Sequence, residues 1–183
     1  RSLKRAKYTT SCDGHFGLAA KYYCHFTSPI RRYPDLQIHR IIKENLNGRL
    51  TDKRASHYKA VLYDIALRSS MMERRADEAE READKMKAAE FMSHKIGEEF
   101  DGVISGVTSW GIYVELPNTV EGMVKISSIR GDYYEFNAER MEIVGEHTKK
   151  KFSLGQQVRV KVVEASKQMR TIDFRIVEGD RDV

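Results

Sequence analysis

Two adjacent arginines and a tyrosine lie in a short segment that leads into a predicted helix. Positions 28–36 read Ser-Pro-Ile-Arg-Arg-Tyr-Pro-Asp-Leu. Pro34 suits the first turn of a helix, and the apolar residues after it recur at helical spacing until Asn47 and Gly48. The unpaired N–H groups of a helix N-terminus favour anions, and a guanidinium donates forked hydrogen bonds to phosphate oxygens. The segment therefore indicates an anion site, and the natural anion is a nucleic-acid phosphate.

Adjacent arginines in an irregular segment rarely point in the same direction. We therefore expect one of Arg31 and Arg32 to contact phosphate and the other to pair with a protein carboxylate. The alternative is that both are solvated surface residues. Tyr33 and Arg40, which follow in the same segment, are further candidate contacts to RNA.

The order of residues in the first part of the chain resembles one enzyme family. Residues 1–8, 15–19, 28–36 and 39–40 are arranged as in the end of the catalytic (RNB) domain of the ribonuclease R family. This resemblance implies a processive, Mg²⁺-dependent exoribonuclease that degrades RNA from the 3′ end and releases nucleoside 5′-monophosphates. It also implies that Arg31 is catalytic, because it contacts the phosphate being cut and stabilises the transition state.

The acidic residues that such chemistry needs are scarce near Arg31. Residues 1–50 contain only Asp13, Asp35 and Glu44 as acids, whereas two-metal phosphoryl chemistry requires several convergent carboxylates. The family holds its metal with aspartates earlier in the domain. We therefore expect a C-terminal fragment that is inactive alone, needs the missing N-terminal part of the same protein, and leaves the Mg²⁺ ligands off this chain.

Composition is that of a soluble globular protein. The chain has 183 residues, 40% hydrophobic and 32% charged, without an apolar run of the ~20 residues that span a membrane or an initial signal-peptide pattern. We expect a cytoplasmic protein without membrane contact. Residues 1–50 hold ten basic and three acidic side chains (net +7), residues 51–95 ten and nine (net +1), and residues 96–183 twelve and fifteen (net −3). The basic character belongs to the first segment.

The chain has two cysteines, Cys12 and Cys24. With His15 and His25 they could form a zinc site, but their spacing lacks the usual paired form. Reduced thiols without a metal are the favoured interpretation.

Two helices are predicted between positions 53 and 95. The first runs from Lys53 to about Ser69, and the second begins at Ser70, whose hydroxyl would cap it while Glu73 reaches back. A narrow stripe of small and flexible residues, predicted as a packing face, comprises Met72, Ala76, Ala79, Ala83 and Met86. The dense charges on the other faces are typical of a solvated helix surface. Glu73 is the exception, because the family resemblance places a glutamate here near the RNA 3′ end.

The resemblance assigns residues 1–95 to the mostly helical C-terminal part of the RNB domain. Alone, this segment should be incompletely buried. We expect marginal stability or self-association through its exposed helices, because exposed apolar faces favour contacts with partners.

From Glu99 the apolar period changes to two. Five short segments with glycine breaks predict a five-stranded antiparallel β-barrel of the OB type over residues 96–178, followed by a tail at 179–183, so that the fold class is α+β. The order of residues 102–127 resembles the OB-fold RNA-binding domain named after a small-subunit ribosomal protein. The same domain order occurs in the ribonuclease R family.

That resemblance implies single-stranded RNA as the partner of the barrel. Trp110 and Tyr113 lie where the family stacks bases, although one of them could belong to the core. Lys125 replaces the usual histidine with a point charge, and the other candidate phosphate contacts are Arg130 and Lys161. Residues 132–136, in a polar insertion, are expected to pack on the barrel, although their two tyrosines could instead contact RNA.

Two other functions remain open from sequence. The chain could be a stand-alone RNA-binding module without catalytic duty, as the barrel alone suggests. It could also be a translation-associated protein that uses the barrel on structured RNA, although residues 1–50 do not favour this.

Overall fold

A computed structural model describes residues 7–177, so the predicted tail at 179–183 lies outside the described residues. The chain divides into two compact units, Arg1–Ala79 and Glu80–Val183. A short 3₁₀ turn (Phe16–Leu18) precedes α1 (Tyr33–Leu46) and α2 (Asp52–Ser93). None of the helices in the described range combines the length and the apolar character needed to cross a membrane.

Charged and aromatic side chains fasten α1 to the start of α2. The carboxylate of Glu44 accepts hydrogen bonds from the Arg54 guanidinium at 2.7 and 3.1 Å and from the Tyr58 hydroxyl at 2.8 Å. The Arg54 guanidinium also lies over the Tyr58 ring, 5.0 Å from its centroid. Because Tyr58 is buried, these contacts fix the turn between the two helices.

The prediction of two helices in residues 53–95 is wrong. The structure has one continuous helix of 42 residues, and the Ser70 hydroxyl does not cap a helix but donates to the Ala66 carbonyl oxygen at 2.9 Å. The sequence from 52 to 93 contains neither glycine nor proline, so nothing in it terminates the helix. A serine within a helix can satisfy its hydroxyl on the preceding turn without breaking the helix.

The predicted methionine and alanine stripe is largely exposed within the described residues, so its role as a packing face for parts of the domain outside this chain stays a prediction. Met86 is half-buried, and the other four members are exposed. The buried positions of the second unit's helical part come one turn later, at Ala89 and Met92, which belong to the apolar core of the barrel. The last turn of α2 therefore closes the barrel core.

Large apolar side chains remain exposed in the first unit, as expected for an incompletely buried segment. The most exposed are Ile30, Phe16 and Leu46 at 103%, 96% and 78%. In α1 the buried side chains are Asp35 and Gln37, both polar. Leu36, Ile38 and Ile41 are partly buried, whereas Ile42 and Leu46 are exposed, which leaves this face open.

The described part of the second unit contains eight strands. They are β1 (Glu99–Thr108), β2 (Gly111–Glu115), β3 (Glu121–Lys125), β4 (Tyr134–Asn137), β5 (Glu142–Gly145), β6 (Lys151–Ser153), β7 (Gln157–Ser166) and β8 (Thr171–Ile176). Five of them close a barrel in the order β1-β2-β3-β8-β7. The α+β class and the five-stranded barrel are confirmed.

The prediction that the barrel is antiparallel is partly wrong. Strands β3 and β8 are parallel neighbours, with Met123 opposite Asp173, while the other barrel pairs are antiparallel. Strand directions cannot alternate all the way around a ring with an odd number of members. A closed five-stranded barrel must therefore contain a parallel pair.

Alternating side chains fill the barrel. The inward positions include Ile112 and Val114 on β2 and Phe174 on β8, all nearly or fully buried. A Cβ added at Gly122 would lie 2.5 Å from the Phe174 ring. Glycine at this position therefore lets the ring pack against the backbone of β3.

The polar insertion is not only a loop, because β4, β5 and β6 form a separate three-stranded sheet. The Asp132 carboxylate fixes the turn that contains His147 and Thr148. It accepts hydrogen bonds from the Thr148 hydroxyl at 2.7 Å, from the Thr148 backbone N–H at 2.6 Å and from the His147 backbone N–H at 2.9 Å. These hydrogen bonds hold the pKa of Asp132 far below its usual value. Within the insertion, Tyr134 is buried in the core and Tyr133 is 68% exposed.

Candidate nucleic-acid interface

The loop that carries the two arginines is held by a buried carboxylate. Asp35 is fully buried, and its Oδ2 accepts hydrogen bonds from the Ser28 backbone N–H at 2.8 Å and from the Arg32 guanidinium at 2.9 Å. The Ser28 carbonyl oxygen in turn accepts from the N–H groups of Arg31 and Arg32. One carboxylate in the first turn of α1 thus fixes both ends of the loop.

The charge of Asp35 is stabilised by its partners. Burial alone would raise the pKa of Asp35, but the hydrogen bonds from Ser28 and Arg32 and the nearby positive charges bring the pKa below its usual value. The carboxylate is therefore ionised at neutral pH. Asp35 Oδ1 and Arg32 Nε are buried without a hydrogen-bond partner among the described residues, so this pair depends on a single well-placed contact.

An aromatic contact fixes the other side of the same loop. The Phe26 and His39 rings are stacked, with centroids 4.2 Å apart and planes inclined by 9°. His39 Nε2 also lies 2.9 Å from the Phe26 carbonyl oxygen. The chain entering the loop is therefore attached to the second turn of α1.

The two arginines point in different directions. Arg32 pairs with Asp35, whereas Arg31 is exposed and its side chain has no hydrogen bond or ion pair within residues 7–177. Nearby, the Arg40 guanidinium lies 5.9 Å from the centroid of the Tyr33 ring, which is 47% exposed. The segment thus presents the uncommitted Arg31 guanidinium and, separately, a contact between the Arg40 cation and the Tyr33 ring.

Tyr8 connects this loop region to Glu73, a contact that the sequence analysis missed. The Tyr8 backbone N–H donates to the Ser70 hydroxyl at 2.8 Å, and the Tyr8 hydroxyl lies 3.4 Å from His25 Nδ1. Burial, followed by a hydrogen bond with the Glu73 carboxylate, raises the pKa of Tyr8 to about 12. Tyr8 therefore stays protonated beside the Glu73 carboxylate at neutral pH. The sequence singled out Tyr8 only as part of residues 1–8, which resemble the family, and this resemblance did not indicate the residue that Tyr8 contacts.

On the barrel, Trp110 and Tyr113 form an exposed aromatic pair. Trp110 is 57% exposed, Tyr113 is half-buried, and Trp110 Nε1 donates to the Tyr113 hydroxyl at 3.3 Å. The Trp110 carbonyl oxygen accepts from the Ile126 N–H at 2.9 Å, which ties the turn between β1 and β2 to the end of β3. Neither ring belongs to the buried core of the barrel.

The candidate cations of the barrel differ in their surroundings. Lys125 donates to the Asp173 carboxylate, which raises the pKa of the lysine and offsets its charge. Arg130 and Lys161 are exposed, and their side chains make no ion pair within the described range. The charge expected at Lys125 is therefore largely paired, whereas Arg130 and Lys161 remain uncommitted.

No metal centre is formed by the described part of the chain. Among residues 7–177, no group of three or more His, Cys, Asp or Glu side chains is placed to hold a metal ion. Cys12 and Cys24 are exposed free thiols. The described residues thus do not fit the divalent metal that the family resemblance of the first segment implies.

We predict that replacing Asp35 with asparagine loosens the arginine loop. Asp35→Asn leaves Arg32 without its anion, and the free energy of local opening should fall by about 1–3 kcal/mol. The measurement is hydrogen exchange of the amides at 26–36 at neutral pH. The Asp64→Asn variant is the matched control, because Asp64 is exposed and has no side-chain partner in the described range.

The pH dependence of the same interaction has a definite sign. Because the folded pKa of Asp35 is depressed, its stabilisation is present above the unfolded value of about 3.9 and is lost as the pH falls through the folded value. Asp35→Asn should remove this pH dependence from the thermal unfolding of the first unit.

In the hydrogen-exchange experiment, equal exchange rates of the amides at 26–36 in the Asp35→Asn and Asp64→Asn variants would show that Asp35 does not hold the loop.

Comparisons with known families agree with both parts of the chain. The RNB domain family matches residues 1–48, and the S1 RNA binding domain family matches residues 93–176. Ribonuclease R 1 of Lactococcus lactis is 44% identical over 183 residues, which is 100% of this chain and 22% of that protein. Ribonuclease R of Escherichia coli is 40% identical over 99% of this chain and 23% of its own length. The chain thus spans about a quarter of the length of these relatives.

Solved structures give the same result. Mycoplasma genitalium RNase R in its apo form aligns with a TM-score of 0.88 and 31% identity, covering 95% of this chain and 28% of that one. The same enzyme in complex with ribose-methylated single-stranded RNA also aligns with a TM-score of 0.88, over 96% of this chain and 28% of that one. By its sequence, its two matched domains and its fold, this chain belongs to the ribonuclease R family.

Proposed function

We propose that this chain is part of a processive 3′-to-5′ exoribonuclease that releases nucleoside 5′-monophosphates from RNA. The observation that carries the proposal is the exposed guanidinium of Arg31, which has no side-chain partner within residues 7–177 and follows a loop held by the Arg32–Asp35 pair. Membership of the ribonuclease R family supports it. In this proposal, residues 1–95 supply the phosphate-contacting part of the catalytic domain, and residues 96–178 form the RNA-binding domain.

Arg31 is the proposed catalytic residue. A phosphodiester gains negative charge at its non-bridging oxygens as it is cleaved, so a cation that is already positioned lowers the barrier selectively. Arg32 would act through Asp35 by holding the loop, while Tyr33 and Arg40 would contact the RNA strand. Glu73, fixed by Tyr8, would lie near the RNA 3′ end and influence product release.

The metal of the family is assigned to the rest of the protein. The relatives are about four times as long as the chain, and we propose that their remaining length supplies the ligands of a divalent ion, Mg²⁺. The same length would cover the exposed apolar side chains of the first unit, such as Phe16 and Ile30. Self-association would cover them in the isolated chain.

The barrel would bind single-stranded RNA. Trp110 and Tyr113 offer rings for base stacking, which contributes on the order of 1–3 kcal/mol per base with little sequence preference. The exposed cations Arg130 and Lys161 would attract phosphates. Lys125 would do so less strongly, because Asp173 already offsets its charge.

We predict that the isolated chain binds single-stranded RNA but does not degrade it. With Mg²⁺ and end-labelled RNA, the chain should retard the RNA without releasing mononucleotides, because its described residues lack a metal-binding group. Mononucleotide release that survives Asp35→Ala, Asp13→Ala and a contamination control would contradict this assignment. Binding without release by the complete protein as well would favour a stand-alone RNA-binding module.

We predict that Trp110 reports RNA binding directly. Trp110 is the only tryptophan of the chain, so stacking should quench its intrinsic fluorescence when single-stranded RNA is added. Trp110→Ala should weaken RNA binding by roughly 5- to 150-fold, as expected for loss of about 1–3 kcal/mol of stacking. Tyr63→Ala is the matched control, because Tyr63 is an exposed aromatic residue of α2, at 64% against 57% for Trp110, and has no proposed contact with RNA. Equal affinity of the two variants would contradict stacking at Trp110.

We predict that Arg31 acts mainly on turnover. In the complete protein, Arg31→Ala should lower kcat by roughly 100-fold or more, as for loss of a group that stabilises transition-state charge, with a smaller loss of RNA affinity. Single-turnover kinetics and equilibrium binding separate the two effects. Arg49→Ala is the control, because Arg49 is exposed and its side chain has no partner in the described range. Equal losses of turnover and affinity would remove Arg31 from the catalytic role.

A further inference from the structure

Two cations face each other across the barrel strands β7 and β8. Lys161 is directly opposite Arg175 in the antiparallel register. Both are exposed, while their neighbours Val160, Val162 and Phe174 are buried. The two cations therefore lie side by side on the outer face, where directly opposed Cβ atoms are about 4.5–5.5 Å apart and like charges destabilise the sheet.

The acidic groups beside these cations are paired elsewhere. Glu99, opposite Lys161 on β1, accepts from Arg159 at 3.2 Å. Asp173, two residues before Arg175 on the same face, pairs with Lys125. Within residues 7–177, neither Lys161 nor Arg175 has a side-chain hydrogen bond or ion pair.

A third uncommitted cation lies at the end of this pair. Arg130 and Arg175 line the same cleft of about 180 Å³, together with Ser128, Phe152 and Lys150. No acidic side chain is among the described residues that line the cleft. We name Lys161, Arg175 and Arg130 the cationic row.

The cationic row adjoins the aromatic pair of the barrel. Lys125, which is opposite Gly111 next to Trp110, contacts Asp173 on β8. Arg175 follows Asp173 by two residues, about 7 Å along the strand on the same face. An extended strand could thus run from Trp110 across the neutralised Lys125–Asp173 pair to the cationic row.

We propose that the cationic row binds consecutive phosphates of single-stranded RNA and extends the RNA path beyond the aromatic pair. Three clustered cations that have no acidic partner within residues 7–177 repel one another and lower the stability of the domain, although residues 96–183 carry a net charge of −3. A polyanion removes this repulsion and releases its own counterions. This inference rests on the proposed function, because it takes RNA as the ligand of the barrel.

The test compares two charge-matched triple variants of the full chain. In the row variant, Lys161, Arg175 and Arg130 are replaced by glutamine. In the control variant, glutamine replaces three exposed cations of the insertion that already have oxygen partners, namely Arg140, Lys149 and Lys151. Fluorescence anisotropy with a labelled oligouridylate is recorded over a range of salt concentrations.

The row variant should show two opposite changes. The slope of log Kd against log salt should fall by about 2, because each phosphate contact on a single strand contributes about 0.7. Its Tm without RNA should stay equal or rise, because like-charge repulsion is removed. The control variant should retain most of the wild-type slope.

Other outcomes overturn the proposal and separate it from the proposed function. Equal slopes for the two variants would exclude phosphate contacts at the cationic row, and so would a protein partner bound there. In either case, weakened RNA binding by Trp110→Ala would show that the barrel still binds RNA. A row variant with a lowered Tm would show that the cations act structurally. Failure of the wild-type chain to bind RNA would overturn both proposals.

Discussion

The contact between Asp35 and its two donors is the constraint on which the arginine loop depends. A single oxygen of a buried carboxylate accepts from the Ser28 backbone and from Arg32, so the loop closes onto the first turn of α1. Because Arg32 is used in this way, its neighbour Arg31 is directed away from the protein. Burial of a charge is tolerated only with such partners. The geometry of the proposed phosphate contact is thus determined by a residue that does not touch phosphate.

The barrel uses a different means to present its groups. Its apolar core includes the last turn of α2, so that the strands can present Trp110 and the exposed cations outward. Most acids on the β1, β3 and β8 faces near these groups are paired, as in the Arg159–Glu99 and Lys125–Asp173 contacts. Positive potential therefore remains local in a domain with an excess of acidic residues. The proposed RNA binding therefore depends on local charge placement rather than on net charge.

Sequence patterns predicted the elements that depend on local signals. Pro34 marked the start of α1, the alternating residues marked the barrel strands, and the adjacency of Arg31 and Arg32 indicated divergent side chains. Patterns failed where distant residues decide. Ser70 resembles a helix cap, but its hydroxyl donates to the Ala66 carbonyl oxygen and accepts from the Tyr8 N–H. The interaction that raises the pKa of Tyr8 joins it to Glu73, 65 positions away, and no spacing rule predicts such a contact.

A structure of the complete protein with RNA that resists cleavage tests the central claim most directly. The account predicts that the Arg31 guanidinium contacts the phosphodiester at the 3′ end, within hydrogen-bond distance, while Arg32 still pairs with Asp35. It would be contradicted by Arg31 paired to a protein carboxylate out of reach of the RNA. An Asp35 side chain separated from both Ser28 and Arg32 in that complex would contradict it equally.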